Sequence, residues 1–449
     1  VVKQFTDLID SAESSWQTFG EVDDYVRGKF PLPQFPMIGG QIDPRLPSLF
    51  RQSVVPVLGL IVEAVTQRLR VDGFRERGQD DPVNDLWEWW QRSGFDRAQR
   101  AVWSDAMTFA DGYIAVTPNG DTPRFTAESP MALAVERDPL DPVNLSVAAK
   151  RSGNVGWLYT FDAIHRLERD DRPGFMSGWR LVKSTPHDAG ECPMVRVPNR
   201  VDSLGRSHSD ITPLMPLQDS LNLTALLRTV VEGNMAWAQR WIAGLTVEKD
   251  KQGRAIPPVR AGADQLVVSK DPDTKFGQWQ ASSSQDLLES MEATVRRMAT
   301  ISQVPVYYLA QTAISNISEP ALAMLEGTLS ARVDSRQTAY SEALEHAMRI
   351  GGRMVGTEVP EDLETVWASL ERRSQAQQTD AALKLRSIGM PIQFLLSDVL
   401  GLTPQNTERV MGMLEREQAE TALAQAKAFG VDGAAVDPQT RQEMNAFAV

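Results

Sequence analysis

Apolar residues recur at helical spacing along most of this chain, and the stretches that break the rule mark its organisation. Within residues 1–30, Leu8, Ile9, Ala12, Trp16 and Phe19 fall on one helical face. Residues 31–47 hold Pro31, Pro33, Pro36, Pro44 and Pro47 around Gly39-Gly40, which reads as a loop or extended arm. Residues 50–70 return to helix and run into Val71-Asp72-Gly73-Phe74. Residues 83–110 are helical and carry Trp87, Trp89, Trp90 and Trp103. No basic residues interleave with the face shared by Leu86, Trp87 and Trp90, so these rings read as core rather than as a platform for stacked bases.

Between residues 111 and 210 the pattern changes. Tyr113–Val116, Met131–Val135, Val155–Tyr159 and Met194–Val197 are short strand-like runs separated by Gly, Pro, Asn and Asp. A long helix is then expected over 216–243, with Leu217, Leu221, Leu227, Val231, Met235 and Ile242 on one stripe and Leu223, Leu226, Val230, Trp237 and Trp241 beside it. At about 1.5 Å per residue such a helix would run ~42 Å, long for a compact domain. Residues 246–282 are polar and rich in turn formers, with Gln265–Val268 as the single candidate strand. A helix returns over Ser284–Ile301, striped by Leu287, Leu288, Met291, Val295 and Met298.

Residues 305–319 form a loop of Ser, Thr, Asn and Gln, and Pro320 stands where a helix opens. Leu322, Leu325, Leu329, Val333, Tyr340, Leu344 and Met348 set the period of that helix, which Gly351-Gly352 are expected to end. A short segment, Leu363–Leu370, precedes a helical remainder with a stop at Gly389-Met390-Pro391, a helix-forming tract at 408–428 and a frayed last twenty residues. The fold class expected is α+β, predominantly helical.

Composition narrows the chemistry. Of 449 residues, 42% are hydrophobic and 23% charged, the balance of a soluble globular chain and not of a disordered or collagen-like one. Acidic residues outnumber basic ones, 59 to 46, for a net charge of −13, which argues against general affinity for phosphates. Cys192 is the single cysteine, so neither an internal disulfide nor a cysteine-rich zinc site is possible, and an intracellular origin is expected. The longest strongly apolar run, Val54–Val62, is short of the ~18 residues of a membrane span and includes Pro56 and Gly59. No basic stretch leads into an apolar one at the start, so no secretory leader is expected within these residues.

No constellation here nominates a catalytic, cofactor-binding or metal-ligating residue. Gly28-Lys29 is followed by Phe30, so no phosphate-cradling loop exists there. Gly205-Arg206-Ser207-His208-Ser209-Asp210 sets Ser, His and Asp side by side, but a triad needs them adjacent in space. That segment reads as a turn, with Ser209, Asp210 or Thr212 capping the next helix. Asp162, His165 and Glu168 read as a solvated surface beside Arg166 and Arg169 rather than as a metal site.

The order of segments is itself a signature: a β-containing body, a long helix, a small projecting module, a returning helix, a polar loop, another long helix and a helical end. With it come the phrases Val62–Phe74, Asp111–Val116, Gly205-Arg206-Ser207, Phe276-Gly277-Gln278-Trp279 and Ser315–Leu322. Together these resemble the portal proteins of tailed double-stranded-DNA bacteriophages, most closely the siphophage type common in actinobacterial phages.

That resemblance implies a ring, usually of twelve copies, at one capsid vertex, assembled in the host cytoplasm. Its channel passes double-stranded DNA. It implies a wing at 1–210 and 305–370, stem helices at 211–245 and 283–304, a clip at 246–282 and a crown at 371–449. A tunnel loop at 311–319 would line the channel with Gln311, Thr312, Ala313, Ile314, Ser315, Asn316, Ile317 and Ser318. The clip would meet terminase and later the head–tail adaptor through Lys251, Arg254, Pro257, Pro258, Asp264, Lys270 and Lys275. The major capsid protein would surround the ring, and no membrane partner or cofactor is implied. An acidic ring suits a conduit, because its field opposes tight phosphate binding. Arg296, Arg297 and Arg332 are candidates for charged rings facing the channel. The competing readings are another head–tail connector ring, which would lack the helix–clip–helix insertion, and a soluble hydrolase using Ser207 or His165.

Overall fold

The alternating and fully apolar runs of the β-rich stretch pair into two antiparallel sheets within a mainly helical structure. The computed structural model describes residues 1–33, 46–79, 82–141, 143–169, 178–236, 240–243, 273–278, 284–310, 319–368, 375–402 and 404–428. The chain divides into two units, one formed by 1–23, 62–212 and 317–449 and the other by 24–61 and 213–316.

In chain order the first elements are α1 (Val2–Val26), α2 (Leu46–Ser53), α3 (Leu58–Thr66), β1 (Val71–Glu76), α4 (Asn84–Arg92) and α5 (Phe95–Phe109). Seven strands come next: β2 (Asp111–Asn119), β3 (Thr122–Glu128), β4 (Leu133–Arg137), β5 (Leu145–Ser152), β6 (Val155–Tyr159), β7 (Ala163–Arg169) and β8 (Trp179–Pro186). Then come β9 (Met194–Pro198), α6 (Met215–Ala236), β10 (Arg240–Ala243), β11 (Lys275–Gln278), α7 (Gln285–Ser302) and α8 (Glu319–Val355). The last elements are β12 (Leu363–Trp367), α9 (Gln375–Ser387), the single turn α10 (Ile392–Phe394) and α11 (Pro404–Ala428).

In the first unit β4-β5-β6-β7-β8 form a five-stranded sheet and β3-β2-β9 a three-stranded one. Tyr113, Ala115 and Met194 of the smaller sheet pack against Leu133, Ala148 and Tyr159 of the larger. The other face of the larger sheet is covered by α1, whose Phe5, Ile9 and Trp16 lie on Ala149, Leu158 and Leu167. The strands that show a continuous apolar run, such as Ile114–Val116, are buried on both faces, which is why they stand out in the sequence. Strand β2 lies so close to α5 that a Cβ on Gly112 would sit 2.5 Å from the Val102 carbonyl oxygen.

The aromatic helices fold as core, as expected. Trp89, Trp90 and Trp103 are buried, and Trp87 is half-buried and stacked on Trp90. Trp103 stacks on Tyr340 with ring centroids 4.9 Å apart and also meets Trp367. Other details add to or differ from the sequence reading. Residues 50–70 are two helices broken at 54–57, because Pro56 removes a backbone donor. Val71–Phe74 pair as strand with β12, a partner almost 300 residues away. Gly351 and Gly352 do not end α8. A Cβ on Gly351 would sit 3.0 Å from Pro123, and one on Gly352 would sit 2.7 Å from the Thr357 carbonyl oxygen, so both glycines serve close packing inside the helix. The helix ends at Gly356, in the left-handed region at φ 72°, where the Thr357 N–H bonds the Gly352 carbonyl at 3.0 Å.

In the second unit α6 packs on α2 and on α7. The break between α2 and α3 would leave backbone groups without partners, and two buried side chains of α6 supply them. Gln218 accepts from Val57 N–H at 3.1 Å and donates to the Val55 carbonyl at 2.7 Å, and Asn222 accepts from Val55 N–H.

The helix expected over 216–243 stops at Ala236. Arg240–Ala243 instead pair as strand with Lys275–Gln278, so Trp241 and Ile242 leave the helical stripe. The candidate strand Gln265–Val268 and the last twenty residues lie outside the described residues. The segment Leu46–Thr66 is apolar enough by composition to cross a membrane, with a mean hydropathy of 1.5. Its two helices instead bury Phe50, Leu58, Ile61 and Val65 within the protein.

Candidate functional site: a helix pair with paired strands, and a buried charge hub

The first candidate feature is a helix–strand–strand–helix unit. Strands β10 and β11 pair antiparallel, with Ala243 opposite Lys275 and Arg240 opposite Gln278. The ladder brings Ala243 and Lys275 together, and helices α6 and α7, which precede and follow it, pack on each other. Of the expected clip residues, Lys275 stands on β11. Lys251, Arg254, Pro257, Pro258, Asp264 and Lys270 lie outside the described residues. So do Gln311, Thr312, Ala313, Ile314, Ser315, Asn316, Ile317 and Ser318. The loop they belong to is flanked by a short turn, Val306–Tyr308, packed on α7, and by the start of α8 at Glu319.

The two supporting helices are not fully buried. Leu221, Ala225 and Leu226 of α6 face inward, while Leu223 and Leu227 are exposed. On α7, Val295, Met298 and Ala299 are buried, and Ile301 is 57% exposed.

The second feature is a charge hub in the first unit. Asp210 is buried and accepts from Arg332 of α8 at 2.6 Å, from Arg336 one turn later at 3.3 Å, and pairs with Arg200 at 2.9 Å. Burial pushes the Asp210 carboxyl upward, and the three guanidiniums more than offset that and hold it below its ordinary range. Nearby, Arg196 is buried, bonds Asp111 at 2.8 Å and donates to Ser207 at 2.9 Å. Tyr340 donates to Asn199. The turn over 199–210 is thereby tied to α8 and β9.

These contacts revise two sequence readings. Arg332 is buried against Asp210 and presents no charge to a channel, whereas Arg296 and Arg297 are exposed on α7. His165 is buried rather than solvated, with its Nδ1 2.8 Å from the Ser184 hydroxyl. Among the described residues no cluster of His, Cys, Asp and Glu could hold a metal. The Ser207 hydroxyl accepts a hydrogen bond from Arg196, which cannot serve it as a base, and Ser209 caps the following turn by accepting from Ile211 and Thr212 N–H. The hub itself is absent from the sequence reading. Its signal was there: Arg332 and Arg336 interrupt the apolar stripe of α8 at a spacing of four, on the face that also carries Leu329, Val333 and Tyr340.

A family model described as phage portal protein, SPP1 Gp6-like, matches residues 47–426. The chain belongs to the phage portal family. The portal protein of Mycobacterium phage L5 is 27% identical over 390 residues, covering 80% of this chain and 76% of that protein. The portal protein of Mycobacterium phage D29 is also 27% identical, covering 74% of this chain and 72% of that protein. Among solved structures, a chain from the virion of a native gene transfer agent particle gives a TM-score of 0.49 at 13% identity, over 82% of this chain and 96% of that one. A chain from the neck of the native particle, computed with C12 symmetry, gives 0.48 at 12% identity, over 80% of this chain and 94% of that one. As a portal protein this chain is a structural component of the virion, forming the ring at the capsid vertex through which the genome is packaged and ejected. It is not an enzyme.

Proposed function

We propose that this portal chain assembles as a ring of twelve in which α6 and α7 are stem helices, residues 246–282 are the clip and residues 311–319 line the narrowest part of the channel. The observation that carries this reading is the β10–β11 ladder. It closes the base of an insertion between two packed helices, which is the support a docking module requires. Exposed Leu223, Leu227 and Ile301 on those helices are apolar surface that neighbouring copies would cover in a closed ring. In this reading residues 1–210 and 305–370 form the wing and 371–449 the crown.

The clip docks terminase during packaging and the head–tail adaptor afterwards. The major capsid protein surrounds the ring, which assembles in the host cytoplasm. Residues 305–318 carry no charge, so the loop contacts a moving duplex without holding it. Electron microscopy of the purified chain tests the assembly, with twelvefold rings around a central hole expected and a compact closed dimer overturning it. Deleting residues 250–262 should abolish adaptor and terminase docking and leave the ring intact. Normal docking by that variant would remove the clip assignment. Replacing Ser315 and Asn316 with Lys should slow packaging, and unchanged packaging would remove the loop assignment.

A further inference from the structure

The two edges of the five-stranded sheet are treated differently. The β4 edge is short and covered: Trp16 of α1 donates to the Leu133 carbonyl at 2.9 Å and to the Pro130 carbonyl at 3.1 Å, and Arg137 donates to the Gly205 carbonyl. The β8 edge is longer, and among the described residues no strand covers it. Residues 180–184 are all exposed, including Leu181 at 40% and Val182 at 46%. Among the described residues β8 pairs with β7 alone. An outermost strand leaves a row of backbone N–H and C=O groups without strand partners.

Charge then selects what such an edge can take. The five strands hold seven basic side chains and two acidic ones, in a chain where acids predominate 59 to 46. Arg137, Lys150, Arg151 and Arg166 pair with Asp111, Glu128, Glu13 and Glu168. Arg180 and Lys183, both on β8, have no carboxylate within ion-pair distance among the described residues. The bulge at Val182 bends the strand and, with the two cations, disfavours pairing with a neutral strand or with a second β8.

We infer that β8 is a docking edge for an extended, acidic segment of another protein, which adds a strand beside it. Backbone pairing supplies the register, Arg180 and Lys183 meet alternate carboxylates, and Leu181 and Val182 take apolar side chains between them. Exposed leucine and valine favour a peptide over a nucleic acid at this edge. The inference stands apart from the clip and channel assignments, since β8 belongs to neither.

The test uses the purified, assembled chain and a short labelled peptide that alternates Glu with Val and Thr. A Gln-for-Glu version of the peptide and a short DNA duplex serve as competitors, and fluorescence polarisation is the readout. Saturable binding of the acidic peptide is expected, weakened at least about tenfold by Arg180→Glu with Lys183→Glu, and weakened by high salt. Val182→Pro should weaken it similarly while the thermal midpoint stays unchanged, because the bulged residue lies outside the β7 register. The inference is overturned if the acidic peptide does not bind, if either variant binds it as well as the original chain, or if the Gln peptide or the DNA competes equally.

Discussion

The sheet unit and the helix-pair unit of this chain meet the same requirement, burial of apolar surface, in opposite ways. The five-stranded sheet is closed on both faces by elements of its own chain, α1 on one side and the three-stranded sheet on the other. Helices α6 and α7 bury one face and leave Leu223, Leu227 and Ile301 in solvent. In the proposed ring, that exposed face of α6 and α7 is surface that neighbouring copies would cover.

The sharpest way to break the contrast is to damage the closed unit from within. Asp210→Ala leaves Arg332 and Arg336 buried beside a lost carboxylate, a change that costs about 3–5 kcal/mol. Urea unfolding of the variant should show a loss of this size, and a change below about 1 kcal/mol would mean that the hub is not a structural centre. Gly112→Ala forces a methyl against the Val102 carbonyl, and overpacking of this kind costs about 1–3 kcal/mol. Its thermal midpoint should fall, with the loss confined to the sheet unit.

In the other unit, Gln218→Leu strands Val57 N–H and the Val55 carbonyl, at about 1–3 kcal/mol. Hydrogen exchange at residues 54–57 should rise selectively. Leu223→Asp with Leu227→Asp should change the stability of the single chain by less than about 0.5 kcal/mol, since both side chains are already exposed. Rings should nonetheless fail to form, and intact rings by mass photometry would refute the idea that neighbouring copies cover this face.

A finer probe is pH. Burial pushes Glu191 upward, but His346 and Arg353 outweigh it and hold the carboxyl below its ordinary 4.5. Its contribution is therefore complete above that value and is lost as pH falls through the lower folded value. His346→Gln should lower stability above pH ~4.5, where the contribution is complete, and flatten the stability-versus-pH curve below it.

Much of the fold is legible in the residues. Helices α1, α7 and most of α8 follow from apolar spacing, and β2, β4, β6 and β9 from short apolar runs between turn formers. The tryptophan-rich helices read as core for the right reason, the lack of cations on their buried face. The end of α6 is not legible. Trp241 and Ile242 fit the helical stripe as well as they fit a strand, and the choice is made by Phe276 and Gly277, far along the chain. The same holds for Val71–Phe74, whose partner is β12. Gly351-Gly352 look like a helix stop and are instead the point where α8 passes close to Pro123 and Phe125.

The candidate site divides similarly. The sequence alone determined the family signature: segment order, a polar insertion between two helices, an uncharged loop before Pro320 and a net charge unsuited to gripping DNA. These are local or summed properties, set by periodicity, turn chemistry and charge count. Only the tertiary structure decided that Asp210 gathers three arginines, that Arg332 faces inward, that Gln218 and Asn222 complete a broken helix, and that, among the described residues, one sheet edge is covered while the other pairs with no further strand. Each depends on which distant groups share a low-dielectric interior or a strand edge, and contacts between residues so far apart along the chain leave no periodic trace in it.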